Sequence, residues 1–207
     1  MSAEALPPEH RERLLAYARR LLEVNRSVNL TGAKSLEDLL DHIHDSLSIA
    51  PYVRSPHVDI GSGGGLPAIP LAIITGATIT LVESVVKKAK FLEQMFAELE
   101  INGRVIADRA EVAARDPELR EAFESATARA VSSAPTVAEL TTPFLKIGGR
   151  AILQRGSMDA RERHALADAA SMLGAEVEEE VPQEGDRRIV LVRKTGATPP
   201  RFPRRLA

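Results

Sequence analysis

The residues most able to support chemistry lie between Val58 and Ile69, where the sequence reads Val-Asp-Ile-Gly-Ser-Gly-Gly-Gly-Leu-Pro-Ala-Ile. Val58 and Ile60 alternate with a polar residue, as at the end of a strand. Four glycines follow that can adopt positive φ or admit a ligand close to the backbone, namely Gly61, Gly63, Gly64 and Gly65. Pro67 suits the first position of a helix whose free N–H groups point back at the loop. The stretch therefore predicts a site for a small polar ligand.

The class of ligand follows from the spacing and from one carboxylate. A dinucleotide fingerprint places Gly or Ala at the sixth position of the motif, where this chain has Leu66. Asp59, directly before the loop, disfavours phosphates and favours a cationic, amine-bearing ligand. The pattern Asp-x-Gly-x-Gly-x-Gly resembles the first motif of class I methyltransferases, and this resemblance implies S-adenosylmethionine as cofactor.

A second acidic residue stands where such a cofactor presents its ribose. Thr78 to Val82 is predicted to form the next strand, and it ends at Glu83, 22 residues after Gly61. A carboxylate at that strand end can accept hydrogen bonds from both ribose hydroxyls. The alternative is a glycine-rich turn without a ligand, with Glu83 capping the following helix.

The composition limits the class of protein. The 207 residues carry a formal net charge of −2, and 44% of them are hydrophobic, which is enough for one α/β domain with an appendage. Cysteine is absent, so disulfides, thiolate metal sites and a catalytic cysteine are excluded. His42 and His44 would point to different sides of a helix, and no metal site is predicted. Without a secretion signal or an apolar span, we expect a soluble, cytoplasmic protein with no membrane partner.

The predicted elements alternate between helices and strands after an N-terminal helical part. Two amphipathic helices come first, one from Glu9 to Val24 and one opened by a capping box of Ser35 and Asp38. After the helix that follows Glu83, the expected elements are strand Gly103 to Ala107, a loop and helix beginning at 108–111, strand Ala126 to Val131, helix Pro135 to Leu145, turn Leu145 to Gly149, strand Arg150 to Leu153 and helix Asp159 to Leu173. Such alternation favours a parallel, doubly wound sheet whose ligand lies at the carboxyl ends of the strands.

The end of the chain departs from this alternation. The segments Ala175 to Val181 and Arg188 to Arg193 are joined by Pro182 to Arg187 alone, a connection so short that one strand must be antiparallel. The predicted fold is therefore α/β, with the Rossmann-like seven-stranded mixed sheet of class I methyltransferases. We expect a single domain, with residues 1–54 as a helical extension packed on a core of 55–207. From Arg187 onward there are seven basic residues and no acidic one, a surface for RNA phosphate or a merely solvated tail.

Nearly the whole chain, from about Leu14 to Arg205, resembles the RsmG family, also called GidB. Its members are bacterial small-subunit ribosomal RNA methyltransferases that modify guanine at N7. The matching segments are Asn29-Leu30-Thr31, His42-Ile43 with Asp45-Ser46-Leu47, Asp59 to Leu71, Arg109-Ala110-Glu111, Arg129-Ala130, Gly148-Gly149 and Pro203-Arg204-Arg205. Within them, Gly65-Leu66-Pro67-x-Ile69-Pro70-Leu71 is more specific than a glycine loop alone.

The resemblance implies a cofactor site and a substrate. The family's contacts to S-adenosylmethionine map onto Gly61, Leu66, Ala110, Glu111 and Arg129, and the class I pattern adds Asp59, Gly63, Gly65 and Glu83. Glu111 reads the adenine or caps its helix, and Arg129 reaches the cleft or forms a salt bridge at the strand end. The implied partner is 16S ribosomal RNA or the small subunit, with a guanine of the 530 loop as target and a monomeric enzyme. The expected RNA contacts are Asn29, Thr31, Arg155, Arg201, Arg204 and Arg205.

The implied reaction needs no general base, because guanine N7 has a lone pair and no proton. Two departures from the family bear on RNA binding: Asp41 stands where the family has arginine, and Gln154-Arg155-Gly156 where it has a lysine. Arg155 can replace that lysine, whereas Asp41 cannot hold a phosphate. Two other functions stay open, a class I methyltransferase with another substrate and a non-catalytic nucleotide-binding assembly factor.

Overall fold

The computed structural model describes residues 6–129 and 133–204. Its helices are α1 (Pro8–Val28), α2 (Leu36–Leu47), α3 (Ala68–Thr75), α4 (Val86–Glu98), α5 (Ala110–Ala113), α6 (Ala134–Thr141) and α7 (Ala160–Met172), with short 3-10 helices at Ala50–Tyr52 and Thr142–Phe144. Its strands are β1 (His57–Ile60), β2 (Ile79–Val82), β3 (Gly103–Ile106), β4 (Phe123–Thr127), β5 (Leu145–Arg155), β6 (Ala175–Pro182) and β7 (Arg188–Lys194).

The strands form one seven-stranded sheet in the order β3-β2-β1-β4-β5-β7-β6. The first five strands are parallel, and β7 runs antiparallel to both of its neighbours. This topology confirms the predicted mixed sheet and its closing hairpin. Because β7 is antiparallel, its first residues lie at the same edge as the carboxyl ends of β1 to β5.

The helices cover both faces of the sheet. Alternation along β1 sends Val58 and Ile60 into a cluster that also contains apolar residues of α6 and α7. The opposite face packs against α1 to α4, whose apolar side chains share one cluster. The N-terminal helices thus have no separate core of their own, and the division at residue 54 stays a prediction.

Several boundaries differ from the expected ones for identifiable reasons. α1 continues to Val28 and ends where Asn29 adopts the left-handed conformation, with φ of 54°. Pro67 precedes α3 as its N-cap and is not its first helical residue. The expected Ser35 and Asp38 capping box is present at α2.

The largest difference concerns β4 and β5. β4 begins at Phe123, three residues earlier than expected, and β5 already begins at Leu145. Leu145 pairs with Phe123 and Arg150 pairs with Ser125, so that residues 146–149 bulge out of the ladder. The predicted glycine turn is therefore a bulge within one strand and does not precede it.

Within the described ranges, no helix is long and apolar enough to cross a bilayer. The same residues contain no group of three or more His, Cys, Asp or Glu side chains placed to hold a metal ion.

Candidate cofactor and substrate site

The glycine loop crosses the carboxyl ends of β1 and β2. Its backbone turns through three left-handed residues, Gly61, Gly63 and Gly65, with φ of 69°, 55° and 97°. The Gly61 amide donates to the Val82 carbonyl of β2 at 2.8 Å, which fixes the start of the loop. At Gly65 the need for glycine is also steric, because an added Cβ would lie 2.5 Å from Cδ1 of Ile69 in α3. The loop is thus a tight connection between β1 and α3, with Leu66 half-buried against the core.

Glu83 holds the loop from the side of β2. One carboxylate oxygen accepts from the Gly63 amide at 2.8 Å and the other from the Val85 amide at 2.7 Å. Val85 is the N-cap of α4, so the side chain joins the loop to that helix. The carboxylate is only 6% exposed. The contact with Val85 agrees with the alternative prediction that Glu83 caps the following helix. The contact with Gly63 places the same carboxylate beside the glycine loop.

Asp59 is a buried carboxyl group at the end of β1. Its Oδ1 accepts from the Thr127 hydroxyl at 2.7 Å, whereas Oδ2 has no hydrogen-bond partner in the described part of the chain. Burial raises the pKa of Asp59 to about 7, and the Thr127 hydrogen bond and the Arg129 charge oppose that rise only in part. A cationic group brought beside this carboxyl would favour its ionised form.

Below Asp59, the same face of the sheet carries a buried histidine. His57 lies within hydrogen-bond distance of Ser125 Oγ at 2.8 Å and of Thr127 Oγ1 at 2.9 Å. Burial lowers the pKa of His57 to about 3, so the ring is neutral at physiological pH. Thr127 therefore links a neutral imidazole to a carboxyl group beneath the loop.

The two predicted residues after β3 lie at the start of α5. Ala110 is its first residue, and Glu111, in its first turn, is 8% exposed. The Glu111 backbone carbonyl accepts from the Arg115 guanidinium. Both residues thus lie at the carboxyl edge of the sheet, two strands away from β1.

Arg129 follows β4 and reaches across to α2. Its Nη1 donates to the His42 carbonyl at 3.3 Å and to Ser46 Oγ at 3.2 Å, and its Nη2 lies 3.3 Å from Oδ2 of Asp45. The expected alternative of a strand-end salt bridge is therefore present. The guanidinium retains about a quarter of its exposure, so it lines the cleft while it is anchored.

Sequence reasoning missed Tyr17, which contacts the loop from α1. This fully buried hydroxyl donates to the Gly64 carbonyl at 2.8 Å. Gly64 also has no room for a Cβ, which would lie 2.9 Å from Leu21 Cδ1 and 3.0 Å from the Leu30 carbonyl oxygen. Atoms of Leu21 and Leu30 thus occupy the space beside this glycine. The spacing of α1 showed its apolar face but gave no sign of this partner.

The expected RNA residues fall into separate places. Asn29 and Thr31 flank Leu30 beside the glycine loop, in a turn closed by Asn25, whose side chain bonds the backbone of Leu30 and Thr31. Arg155 pairs with Glu162 of α7 at 2.7 Å. The role of these residues toward RNA stays a prediction.

The C-terminal arginines lie elsewhere. Arg204 pairs with Glu139 of α6 at 2.5 Å, and Arg201 lies over the Phe202 ring at 4.9 Å. Arg205 lies outside the described residues. The ion pair between Arg204 and Glu139 holds the C-terminal segment against α6.

A cavity of about 740 Å³ opens beside Arg129, between α2, the end of β5 and the β6–β7 hairpin. Charged side chains of both signs line it, among them Asp41, Asp45, Arg129, Arg155, Glu184, Arg187 and Arg188. Arg129 is the predicted cofactor residue that lines it, and its walls are polar.

The sheet order and the loop at its carboxyl edge define a class I methyltransferase fold, as predicted. Solved structures share it: M. jannaschii TYW2 in complex with AdoMet matches with a TM-score of 0.53 and 20% identity over 73% of each chain. The T. thermophilus 16S rRNA methyltransferase RsmC, in complex with AdoMet and guanosine, matches with a TM-score of 0.52 and 18% identity over 76% of this chain and 40% of that one. At these identities the likeness concerns the fold alone.

The sequence identifies the family. The profile of GidB, described as rRNA small subunit methyltransferase G, matches residues 10–190. Proteins named Ribosomal RNA small subunit methyltransferase G from Desulfitobacterium hafniense (strain Y51) and Dictyoglomus thermophilum are 38% and 36% identical, covering 94% and 97% of this chain and 85% and 88% of their own length. The chain belongs to this methyltransferase family, which confirms the predicted family, enzyme class and cofactor.

Tyr17 offers a test of how the loop is held. We expect Tyr17→Phe to lower the free energy of unfolding by about 1–3 kcal/mol, because a buried carbonyl loses its donor. The loosened loop should also bind S-adenosylmethionine more weakly. Urea denaturation and calorimetric titration measure the two effects. Tyr52→Phe is the matched control, since Tyr52 is only half-buried and lies in the 3-10 helix Ala50–Tyr52. Equal behaviour of the two variants would contradict the role of Tyr17.

The buried pair of Asp59 and His57 predicts a pH signature. Asp59 has a raised pKa, so the folded state binds its proton more tightly and loses stability as pH rises from about 4 to about 7. His57 has a lowered pKa, so its neutral form gives stability that is gained as pH rises from about 3 to 6.5. The two slopes oppose each other in the wild type.

Asp59→Asn removes only the Asp59 contribution to the free energy of unfolding, which falls as pH rises. We therefore expect its free energy of unfolding to rise with pH relative to wild type by up to roughly 4 kcal/mol between pH 4 and 7, since one pKa unit corresponds to about 1.4 kcal/mol. Denaturant unfolding at several pH values measures the difference. Parallel pH profiles for the two proteins would show that Asp59 titrates normally.

Proposed function

We propose that this chain transfers the methyl group of S-adenosylmethionine to N7 of a guanine in a loop of 16S ribosomal RNA, the 530-loop guanine in this family. Membership of the rRNA small subunit methyltransferase G family carries the proposal. The protein would act as a monomer in the cytoplasm, on the small subunit or its RNA.

The residues at the carboxyl edge fit the cofactor. Asp59 presents a buried carboxyl oxygen without a partner in the described structure, which suits a positively charged ligand. Glu83 follows β2 and would accept hydrogen bonds from the ribose hydroxyls. The other proposed cofactor contacts are Gly61, Gly63, Gly65, Leu66, Ala110, Glu111 and Arg129. When bound, S-adenosylmethionine supplies an electrophilic methyl group on a sulfonium.

Orientation is the main task of these side chains. Guanine N7 offers its lone pair directly, so no residue has to remove a proton before attack. The C–S bond then breaks as the N7–C bond forms, and the positive charge passes to the base. Alignment of the reacting atoms is worth roughly 7–11 kcal/mol in well-oriented cases.

The target must be an exposed guanine. In A-form RNA the N7 edge faces a deep groove that side chains cannot read, so the base has to come from a loop. The net charge of −2 gives no general attraction to RNA. Binding would therefore depend on local arginines, and four of them line the cavity beside Arg129 and the cleft.

The decisive experiment uses small subunits, and their isolated RNA, from a strain that lacks the family enzyme. With labelled S-adenosylmethionine, we expect label in 16S RNA and 7-methylguanine in its nuclease digest. A folded protein that binds the cofactor but labels neither substrate would contradict the function. Label at another atom or in a small metabolite would identify another class I methyltransferase.

Glu83→Gln should lower kcat/KM for S-adenosylmethionine roughly tenfold or more, because hydrogen bonds to a charged group contribute about 1.5–3 kcal/mol. Glu179→Gln is its control, since Glu179 is exposed on the edge strand β6. Equal kinetics for the two variants would exclude Glu83 from cofactor binding.

A further inference from the structure

The cavity beside Arg129 contains a carboxylate whose setting differs from that of the other acidic side chains around it. Asp45 lies on α2 and is about a quarter exposed. Its Oδ1 is 3.1 Å from Nη1 of Arg187, and its Oδ2 is 3.3 Å from Nη2 of Arg129. The Gln154 amide nitrogen lies 2.9 Å from the Asp45 carbonyl and 3.4 Å from Oδ2. Asp45 is thus oriented by three strand or hairpin residues.

This arrangement leaves acceptor capacity toward the cavity. A carboxylate offers about four lone-pair positions: Gln154 and Arg129 occupy both on Oδ2, and Arg187 occupies one of the two on Oδ1. Arg187, in contrast, is more than half exposed on the hairpin and can leave Asp45 for an RNA phosphate.

We propose that this cavity receives the target guanine and that Arg187 then leaves Asp45 for a phosphate, so that Oδ1 of Asp45 accepts hydrogen bonds from both the N1–H and the N2 amino group. The inference rests on the proposed function and adds the recognition of the base. Among the four RNA bases, guanine alone presents two neighbouring N–H donors on its Watson–Crick edge. A carboxylate, which only accepts, matches that pair and rejects adenine, cytosine and uracil, which each present an acceptor there.

The site has room and charge for a nucleotide. A cavity of about 740 Å³ lies within the range of small-molecule pockets. Arg155, Arg187 and Arg188 line it together with Asp45 and supply positive charge for the phosphate of the same nucleotide. Arg129 lines both this cavity and the predicted cofactor cleft, which brings the two ligands next to each other.

The same contact favours the reaction. As the C–S bond breaks and the N7–C bond forms, the purine gains the positive charge that the sulfonium loses. Its N1–H and N2 donors then become more acidic, and their hydrogen bonds to Asp45 strengthen. An interaction that is stronger in the transition state than in the ground state accelerates the chemical step. Asp45 thus contributes to specificity and to rate without moving a proton.

A purely structural role for Asp45 is the competing explanation, because it also anchors Arg129 and Arg187. The two explanations differ when the base is changed. Inosine lacks the N2 amino group of guanosine but keeps N7 and N1–H. If Asp45 binds that amino group, then removing the amino group and removing the carboxylate disrupt the same hydrogen bond. The two changes together should therefore lower kcat/KM little more than either change alone.

The test measures kcat/KM on loop RNA, or subunits reconstituted with it, carrying guanosine or inosine at the target. We expect wild type to lose at least tenfold on inosine. Asp45→Asn should lose at least tenfold on guanosine, yet less than threefold further on inosine. Its calorimetric affinity for S-adenosylmethionine should stay within about threefold of wild type. Asp41→Asn and Glu184→Gln are controls, exposed carboxylates of the same cavity that should keep the full discrimination.

Three results would overturn the proposal. Equal rates of wild type on guanosine and inosine would show that the N2 group is not read. Full discrimination retained by Asp45→Asn, together with weakened cofactor binding, would assign Asp45 to the support of Arg129. A wild type that methylates neither RNA would remove the proposed function itself and this assignment with it.

Discussion

Two side chains from separate parts of the chain hold the glycine loop, and the rest of the site depends on that restraint. Glu83 binds the Gly63 amide from the end of β2, and the Tyr17 hydroxyl binds the Gly64 carbonyl from α1. The Tyr17 contact is buried and the Glu83 contact is partly buried, so each is stronger than it would be in water and costly to lose. The N-terminal helices are therefore part of the wall of the site and also cover the sheet.

Burial also sets the electrostatics beneath the loop. Asp59 and His57 lie on one face of β1, and both are kept from their usual charge by desolvation. A neutral histidine and a carboxyl group whose pKa is about 7 cost less free energy to bury than an ion pair. One carboxyl oxygen of Asp59 has no hydrogen-bond partner in the described structure, so the arrival of a cationic ligand can ionise the group.

The sequence patterns could predict what depends on neighbours in the chain. The alternation of apolar segments predicted the sheet, and the short link at 182–187 predicted the antiparallel strand. Ser35 and Asp38 predicted the start of α2. Contacts between distant segments could not be predicted this way: Tyr17 and Gly64 are 47 residues apart, and the bulge of β5 arises from its pairing with β4. Glu83 was predicted because it ends the expected second strand, and Arg129 because the family resemblance implied it. The position of Asp45 in a cavity wall depends on the packing of α2 and could not be predicted in either way.

The partners of the arginines also could not be predicted from the sequence, and they affect the expected binding of RNA. The basic residues from Arg187 onward suggested a phosphate-binding tail, yet Arg204 is paired with Glu139 and Arg187 with Asp45. Outside that tail, Arg155 is paired with Glu162. RNA phosphates must replace these carboxylates before they gain a full charge contact, so the arginines supply less affinity than a count suggests. Each exchange also frees a carboxylate, and at Asp45 the freed acceptor faces the cavity. Under the proposed base recognition, charge on this surface would serve discrimination between bases more than general attraction to RNA.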